Sequence, residues 1–90
     1  MKTIYKYKLE LVDWQTIRIH EDAENLCVQL QDGEPVLYAI VDTREALEDR
    51  EIIMYGTGHP MGSAGTYLGT IQEENYFTWH YFQVRQGYGS

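Results

Sequence analysis

The sequence predicts an all-β fold, a small antiparallel sandwich or barrel of about seven short strands with at most one helical turn. Three observations lead to this prediction. Apolar and polar residues alternate with a period of two along much of the chain, as in half-buried strands. Strand-like runs recur about every 8–12 residues between turn signals. No segment offers the full crossover helix that a parallel sheet needs.

The length of the chain sets its domain organisation. With 90 residues, the chain is long enough for one domain and too short for two. We assign residues 1–85 to a single β domain and residues 86–90 to a loose C-terminal tail.

The first three strands are predicted from alternation alone. Residues 5–11 form the first strand, because tyrosines and leucines alternate there with charged residues. Residues 15–20 form a short second strand, and residues 26–31 form the third. The apolar faces predicted for these strands contain Tyr5, Tyr7, Leu9 and Leu11, then Ile17 and Ile19, and then Leu26, Val28 and Leu30.

A tight hairpin joins the third strand to the fourth. Asp32 and Gly33 lie between two strand-like runs, which is a strong signal for a two-residue hairpin turn. Pro35 has no N–H group for the ladder, so it either starts the next strand or lies at its edge. Residues 36–41 are apolar on both faces. We therefore predict that they form a central strand covered from both sides.

The second half of the chain begins with an ambiguous segment. Asp42 and Glu45 have the spacing of a helix capping box, so residues 43–49 are either one or two helical turns or an exposed loop. Residues 51–55 then return to a strand. The remaining predicted elements are a glycine-rich loop over 56–66 and a last hairpin, with strands 67–72 and 76–84 around residues 73–75.

The charge balance excludes several classes of function. The chain has 7 Lys and Arg residues against 14 Asp and Glu residues, a formal net charge of −7. We therefore expect no nucleic-acid polymer and no anionic membrane as a partner. No apolar run approaches the roughly 20 residues of a membrane-spanning helix. The single cysteine, Cys27, cannot form an internal disulfide, which suits a reducing cytosol.

The segment 55–60, Tyr-Gly-Thr-Gly-His-Pro, is the most informative motif. Glycines at alternate positions let the backbone approach a ligand closely, and successive N–H groups can form a nest for a phosphate or carboxylate. His59 and Thr57 could donate to the same anion. Two interpretations are open. Either the glycines only turn the chain, or the loop contacts a ligand, as long loops in small domains often do.

The segment 76–82 carries aromatic side chains on both faces of a predicted strand. One face, which includes Trp79, and the other face, which includes His80, cannot both belong to the core. The second face is either covered by a partner or exposed as a platform on which a planar ring stacks. Base stacking on such rings contributes about 1–3 kcal/mol per base.

Cofactor and metal motifs are weak in this chain. The glycines of residues 56–62 miss the spacing of a dinucleotide fingerprint, and no P-loop sequence follows them. His20, His59 and His80 lack the close spacing of metal ligands. Cys27 lies among apolar neighbours, where a structural cysteine is far more common than a nucleophile. We predict no cofactor and no metal ion.

Six stretches spread over nearly the whole domain form a recognisable set. They are residues 1–7, residues 28–33 with Pro35, residues 38–42, residues 55–60, residues 67–72, and Trp79-His80 followed by Phe82. On these stretches the chain resembles a family of small phage-encoded and prophage-encoded proteins of unknown function. The resemblance implies a phage setting in the cytoplasm of an infected bacterial host, and it supplies no catalytic residues. Small phage proteins of this size often counter host defence, and some sequester nucleotide-derived immune signals without cleaving them.

These inferences combine into one leading hypothesis, a counter-defence protein that sequesters a small nucleotide-derived signal such as a cyclic dinucleotide or an ADP-ribose derivative. Its phosphates would lie on the N–H groups of Gly56 to His59, and Arg50 or Arg85 would supply positive charge. We expect the site to lie between subunits of a homo-oligomer, because so short a chain has little room for a pocket. The candidate ligand-binding residues are Tyr38, Arg50, Tyr55, Gly56, Thr57, Gly58, His59, Trp79 and His80.

Three other functions stay open at this point. An acidic interaction protein could bind and block a host defence protein directly, through clusters of carboxylates that otherwise belong to solvated loops. A phosphodiesterase could use His59 and His80 as an acid–base pair. The chain could also have a structural role in the phage particle.

Overall fold

In the computed structural model, which describes residues 1–62, 65–74 and 77–84, the protein is an all-β sandwich of seven strands. The predicted fold class is therefore confirmed, and the sandwich is the form that it takes. Sheet A has the strand order β1-β4-β3, and sheet B has the order β2-β5-β7-β6, with every pair antiparallel. The strands are β1 (Lys2–Lys8), β2 (Trp14–His20), β3 (Glu24–Gln31), β4 (Glu34–Asp42), β5 (Leu47–Gly56), β6 (Thr66–Gln72) and β7 (Thr78–Gln83).

The core lies between the inner faces of the two sheets. Alternation places Leu37, Ala39 and Val41 of β4 on the inner face, where each is at most 1% exposed. All four strands of sheet B contribute inward-facing side chains to the same core. The core cluster contains Leu9, Ile17, Ile19, Val28, Leu37, Ala39, Val41, Ile52, Met54, Leu68, Ile71 and Tyr81.

The prediction that the central strand is covered from both sides is only half correct. β4 is indeed central in sheet A, and sheet B covers its inner face. On the outer face, Val36 is buried, whereas Tyr38 and Ile40 are half-buried among side chains of β1 and β3. The outer face of β4 is thus shielded by its neighbours in the same sheet rather than by a further layer.

The apolar face predicted for the third strand is also only partly buried. The pairing of β3 with β4 shifts between Asn25 and Cys27, so Leu26 lies in a β-bulge and is 44% exposed. Val28 is buried in the core, but Leu30 is 39% exposed near the end of the strand. The bulge breaks the alternation on which the prediction depended.

Of the two alternatives for residues 43–49, the helical one is wrong: residues 43–46 form a turn, and β5 already begins at Leu47. Asp42 caps a tight turn instead. The Glu45 N–H donates to the Asp42 carbonyl at 3.0 Å, and the Arg44 N–H donates to the Asp42 carboxylate at 3.0 Å. The Arg44 guanidinium also holds the pKa of that carboxyl well below its usual range. Residues after the turn pair with β2, so the strand ladder replaces the helix.

One end of the sandwich contains three connections between strands and the beginning of a fourth, from β5 to β6, and we call it the loop end. It comprises residues 9–13, the hairpin 32–33, residues 57–62 and residues 73–74. Strand pairing places the start of β2, the end of β5 and the start of β7 side by side there. The Leu9 N–H donates to the Pro35 carbonyl at 2.9 Å, which brings the connection from β1 to β2 beside the start of β4. No helix long and apolar enough to cross a bilayer occurs among the described residues.

Candidate ligand-binding site

Residues 56–59 form a hydrogen-bonded β-turn after β5. The His59 N–H donates to the Gly56 carbonyl at 3.0 Å. Gly58 has a φ of +86°, which suits glycine at the third position of a type II turn. The Thr57 N–H donates to the Thr78 carbonyl at 3.1 Å. Two of the N–H groups expected to bind phosphate are therefore already used by backbone carbonyls, and this corrects the predicted anion nest.

The turn folds the His59 ring back over Gly56. A Cβ atom at Gly56 would lie 2.7 Å from the Cε1 and Nδ1 atoms of His59 and 2.9 Å from the Cζ3 atom of Trp79. The His59 and Trp79 rings meet edge to face, with centroids 6.0 Å apart. Gly56 is needed because any side chain there would displace one of these two rings.

Trp79 lies on the inner face of sheet B, at the loop end. Its Nε1–H donates to Glu73 Oε1 at 2.6 Å, and the Phe77 ring stacks on it with a centroid distance of 5.7 Å. Trp79 is half-buried and packs against the core cluster. The structure thus brings Trp79 to His59, as the leading hypothesis requires.

His80, the next residue along β7, lies on the outer face of the same sheet. Its Nε2 atom is 2.7 Å from Thr57 Oγ1, and its Nδ1 atom is 2.9 Å from Thr70 Oγ1. Thr70 Oγ1 is in turn hydrogen-bonded to the Tyr67 hydroxyl. Both ring nitrogens of His80 are therefore engaged by threonine hydroxyls, and this contact fixes Thr57 at the start of the turn.

The two histidines do not face each other. His59 packs with Trp79 on the inner side of sheet B, whereas His80 pairs with Tyr55 on the outer face. Neighbouring residues of a strand point to opposite faces, so this separation follows from the pairing register. The arrangement gives the proposed acid–base pair no common substrate position.

A cleft of about 380 Å³ opens at the loop end between β2 and the 56–59 turn. Tyr55 and His59, two of the predicted site residues, line it. Trp14 lies across from them at the start of β2 and is 56% exposed. Three of the lining residues, Trp14, Tyr55 and His59, are aromatic or heteroaromatic. The Tyr55 ring also contacts Phe82 with centroids 6.0 Å apart. The full lining is Asp13, Trp14, Ile53, Met54, Tyr55, His59 and Pro60.

Five of the seven lining residues are outside the predicted set, and Trp14 is the aromatic one among them. Ile17 and Ile19 point into the core. Trp14 is an odd number of residues before each of them, so it points to the opposite, outer face of the strand. Extending the predicted second strand from residue 15 to residue 14 would have revealed an outward-facing tryptophan. An exposed tryptophan beside a turn is the signal that was available.

Seven of the nine predicted site residues are not part of the cleft lining. Gly56, Thr57, Gly58, Trp79 and His80 lie in the 56–59 turn or on β7, whereas two residues lie on other parts of the fold. Tyr38 lies on the outer face of sheet A, and its hydroxyl is 3.5 Å from Gln31 Oε1. Arg50 is 6% exposed and belongs to a polar cluster inside the sandwich. The Arg50 guanidinium donates to Glu48 Oε2 at 3.1 Å, the Ala23 carbonyl at 3.2 Å, Gln83 Oε1 at 3.3 Å and Asn25 Oδ1 at 3.4 Å.

Arg85 and the predicted tail over 86–90 lie outside the described residues.

The residues considered for metal binding and nucleophilic chemistry are also dispersed. His20 lies at the end of β2 opposite the loop end, where its Nδ1 atom is 2.7 Å from the Glu45 carbonyl. Cys27 is paired with Tyr38 in sheet A, whereas His59 and His80 belong to sheet B. In the part of the chain that the structure describes, no group of three or more His, Cys, Asp or Glu side chains could hold a metal ion.

Comparison with known proteins identifies a family but no characterised relative. No curated protein and no solved structure matches the chain. One family model, described as a domain of unknown function (DUF7352), matches residues 1–89. That match covers all seven strands, both sheets and the cleft at the loop end. The chain therefore belongs to the DUF7352 family of domains of unknown function.

Proposed function

We propose that this protein binds and sequesters a small, nucleotide-derived signalling molecule and does not cleave it. The observation that carries the proposal is the cleft between Trp14 and the 56–59 turn, with Tyr55 and His59 in its lining. Its volume of about 380 Å³ falls within the range of about 300–1,000 Å³ typical of small-molecule sites. A planar ring that enters the cleft can stack on an aromatic face, which is a sequence-tolerant way to hold a base.

The wall opposite Trp14 has a fixed geometry, which favours binding. Thr57 is held by its backbone bond to Thr78 and by its side-chain contact with His80. His59 is held by its backbone bond to Gly56 and by its ring contact with Trp79. A preorganised wall loses little conformational entropy when a ligand binds.

The separation of the two histidines supports binding without cleavage. A general acid and a general base must both reach the reacting bond. His59 and His80 point to opposite faces of sheet B, and both nitrogens of His80 already have hydroxyl partners. We therefore propose sequestration in preference to the phosphodiesterase considered from the sequence.

The biological setting that we propose comes from the sequence resemblance. It is phage counter-defence in the cytoplasm of an infected bacterium, where a captured immune signal would no longer reach its receptor. Sequestration of this kind needs a tight, stoichiometric binding protein and no turnover.

Native mass spectrometry with a panel of nucleotide-derived molecules, which includes cyclic dinucleotides, ADP-ribose derivatives and dinucleotides that carry a pyridinium ring, tests the proposal. We expect one or more ligands to bind at defined stoichiometry and to be released intact on heating. Trp14→Ala and His59→Ala should each weaken capture at least tenfold, while Tyr5→Ala, which removes an exposed ring from sheet A, should leave capture unchanged. Absence of binding across the panel, or release of a degraded ligand, would refute the proposal.

A second candidate function is direct inhibition of a host defence protein, and the composition of the loop end favours it. Carboxylates and exposed apolar side chains are interleaved there, as in a surface that docks on a basic partner with apolar pockets. The carboxylates of the loop end are Glu10, Asp13, Asp32, Glu73 and Glu74, with Glu34 next to them at the start of β4. The exposed apolar residues of the loop end include Leu11, Val12 and Met61, with Phe77 just before β7.

Charge reversal separates this candidate from sequestration. A pull-down from infected-cell lysate should recover one host protein, and reversing Glu10 and Glu74 together should abolish its recovery. Reversing Glu21 and Glu45, which lie at the opposite end of the sandwich, is the matched control. Equal recovery with both double variants would exclude the loop end as the docking surface.

We further propose that the protein self-associates through the outer face of sheet B. One row of side chains crosses all four strands there, through the register Trp14–Ile53–Phe82–Tyr67. Tyr67 is 57% exposed at the end of this row. Sedimentation velocity should detect an oligomer that Tyr67→Lys dissociates, whereas a wild-type monomer at micromolar concentration would refute the proposal.

A further inference from the structure

The lining of the cleft carries negative charge and no lysine or arginine. Of its seven residues, all within the described part of the chain, Asp13 is acidic and none is a permanent cation. Asp13 is exposed and directly precedes Trp14. The chain as a whole has a net charge of −7. The electrostatic potential in this cleft therefore favours a positive group and disfavours a phosphate.

The cationic side chains of the described residues are placed elsewhere. Lys2, Lys6 and Lys8 lie on the outer face of β1 in sheet A, away from the cleft in sheet B. The arginines are engaged by carboxylates. Arg18 pairs with Asp49 at 3.2 Å, Arg44 pairs with Asp42 at 2.8 Å, and the buried Arg50 pairs with Glu48 at 3.1 Å.

We infer that the part of the ligand that enters the cleft is a positively charged planar ring, such as a pyridinium or an N-methylated base. This inference rests on the proposed function, because it names the chemical class of the ligand for the same cleft. Any phosphate of the ligand then points toward solvent, where water rather than the protein neutralises it.

The aromatic walls strengthen this selectivity. A cation over the face of a tryptophan or tyrosine is attracted by the negative face of the ring system, and tryptophan is the strongest partner. Trp14, which lines the cleft and is 56% exposed, offers such a face, and Asp13 adds a formal negative charge beside it. A neutral ring of the same shape gains the stacking contact but neither electrostatic contribution.

A matched pair of ring probes isolates the effect of the ring's positive charge on the binding affinity. The 1-methylnicotinamide cation and neutral 3-methylbenzamide have the same shape, because the methylated ring nitrogen of one is replaced by carbon in the other. We expect the purified 90-residue chain to bind the cation about threefold to tenfold more tightly. Binding is followed by NMR shifts of the Trp14 indole N–H, and the preference should shrink in high salt.

Asp13→Asn tests the carboxylate. It should reduce the preference for the cation at least twofold and leave the affinity for the neutral probe unchanged, since the aromatic walls remain. Glu21→Gln makes the same change of charge about 25 Å away, at the other end of β2 at about 3.3 Å per residue, and should leave the preference intact. Trp14→Ala should weaken both probes together.

The outcomes distinguish this inference from the proposed function. Tighter binding of the cation, lost in Asp13→Asn, supports the inference. Equal binding of the two probes at Trp14 overturns it but leaves a ring-binding cleft, and therefore the proposed function, in place. Failure of both probes and of the whole nucleotide panel to bind at Trp14 overturns both.

Discussion

The backbone of Gly69 in β6 lies directly against Val28 in β3. A Cβ atom at Gly69 would be 2.7 Å from the Val28 nitrogen and 2.9 Å from its Cβ atom. β3 is an edge strand of sheet A, and β6 is an edge strand of sheet B. This contact therefore brings the two sheets together along one side of the sandwich, at a bulge where the pairing of β6 shifts between Tyr67 and Gly69.

We expect Gly69→Ala to destabilise the fold by about 1–3 kcal/mol, because the added methyl group meets backbone that cannot move aside. Gly62→Ala is the matched control, since the atom nearest to its Cβ would be the Tyr55 hydroxyl oxygen at 4.0 Å. Urea denaturation of both variants measures the difference in the free energy of unfolding. Equal stability of the two variants would contradict the close approach of Gly69 to Val28.

Replacing Arg50 should affect stability and not ligand capture. Arg50→Met leaves the Glu48 carboxylate without its partner inside the sandwich, and we expect a loss of about 2–4 kcal/mol. Arg18→Met removes an exposed pair with Asp49 and should cost less than about 1 kcal/mol. Thermal unfolding gives both values. If the folded Arg50→Met variant did not capture the ligand, Arg50 would have to be assigned to the binding site.

Tyr81 should make the fold sensitive to alkaline pH. Burial raises the pKa of its hydroxyl to about 12, and Glu73 contributes to the shift. In the unfolded chain the hydroxyl ionises near pH 10, so the unfolded state loses its proton first as the pH rises. The contribution of the protonated Tyr81 hydroxyl to the free energy of unfolding is therefore complete below pH 10. This contribution, about 2 kcal/mol, is lost between about pH 10 and 12.

Tyr81→Phe is the control for that pH dependence. It removes the ionisable group together with the bond from the Tyr81 hydroxyl to the Glu10 carbonyl at 2.9 Å. The variant should start less stable at pH 8 and lose less of its remaining stability between pH 10 and 12 than the wild type does. If the free energy of unfolding falls by the same amount in both proteins between pH 10 and 12, the role of Tyr81 is refuted.

Gly56→Ala should disturb the cleft while keeping the His59 side chain. The new methyl group would overlap the His59 ring, and that ring can swing outward because His59 is exposed. We expect the loss of the His59–Trp79 ring contact, seen as an NMR shift of the His59 ring protons, and at least threefold weaker capture. Gly62→Ala again serves as the control, and unchanged capture by Gly56→Ala would show that the position of His59 is not required.

Local pattern was sufficient where each strand alternates without interruption. The burial of Ile17 and Ile19 follows from a period of two, and the hairpin at Asp32-Gly33 follows from its turn residues. A period of two also places Trp79 and His80 on opposite faces of β7, but only the packing of the sheets shows that the Trp79 face is the inner one. Prediction failed where a neighbouring strand changed the register or competed with a local signal. The bulge at Leu26 and the replacement of the helical turn after Asp42 by β5 are both effects of strand pairing.

The candidate site shows the same division. Tyr55 and His59 were predicted because their glycine-rich segment is recognisable in the sequence. Trp14 is 41 positions before Tyr55, and only the pairing of β2 with β5 places the two residues on the same cleft. Arg50 was assigned to the ligand because it is a cation, but burial beside Glu48 gives it a structural contact instead.

The sequence by itself determined the all-β class, the approximate positions of the strands and the presence of a glycine-rich loop after the fifth strand, because these depend on the alternation and backbone preferences of neighbouring residues. The tertiary structure alone decided which strands share a sheet, that His59 and His80 lie on opposite faces, and that Trp14 and Asp13 complete the cleft. Such placements depend on contacts between residues far apart in the chain, and these contacts form only when the two sheets pack on their common core.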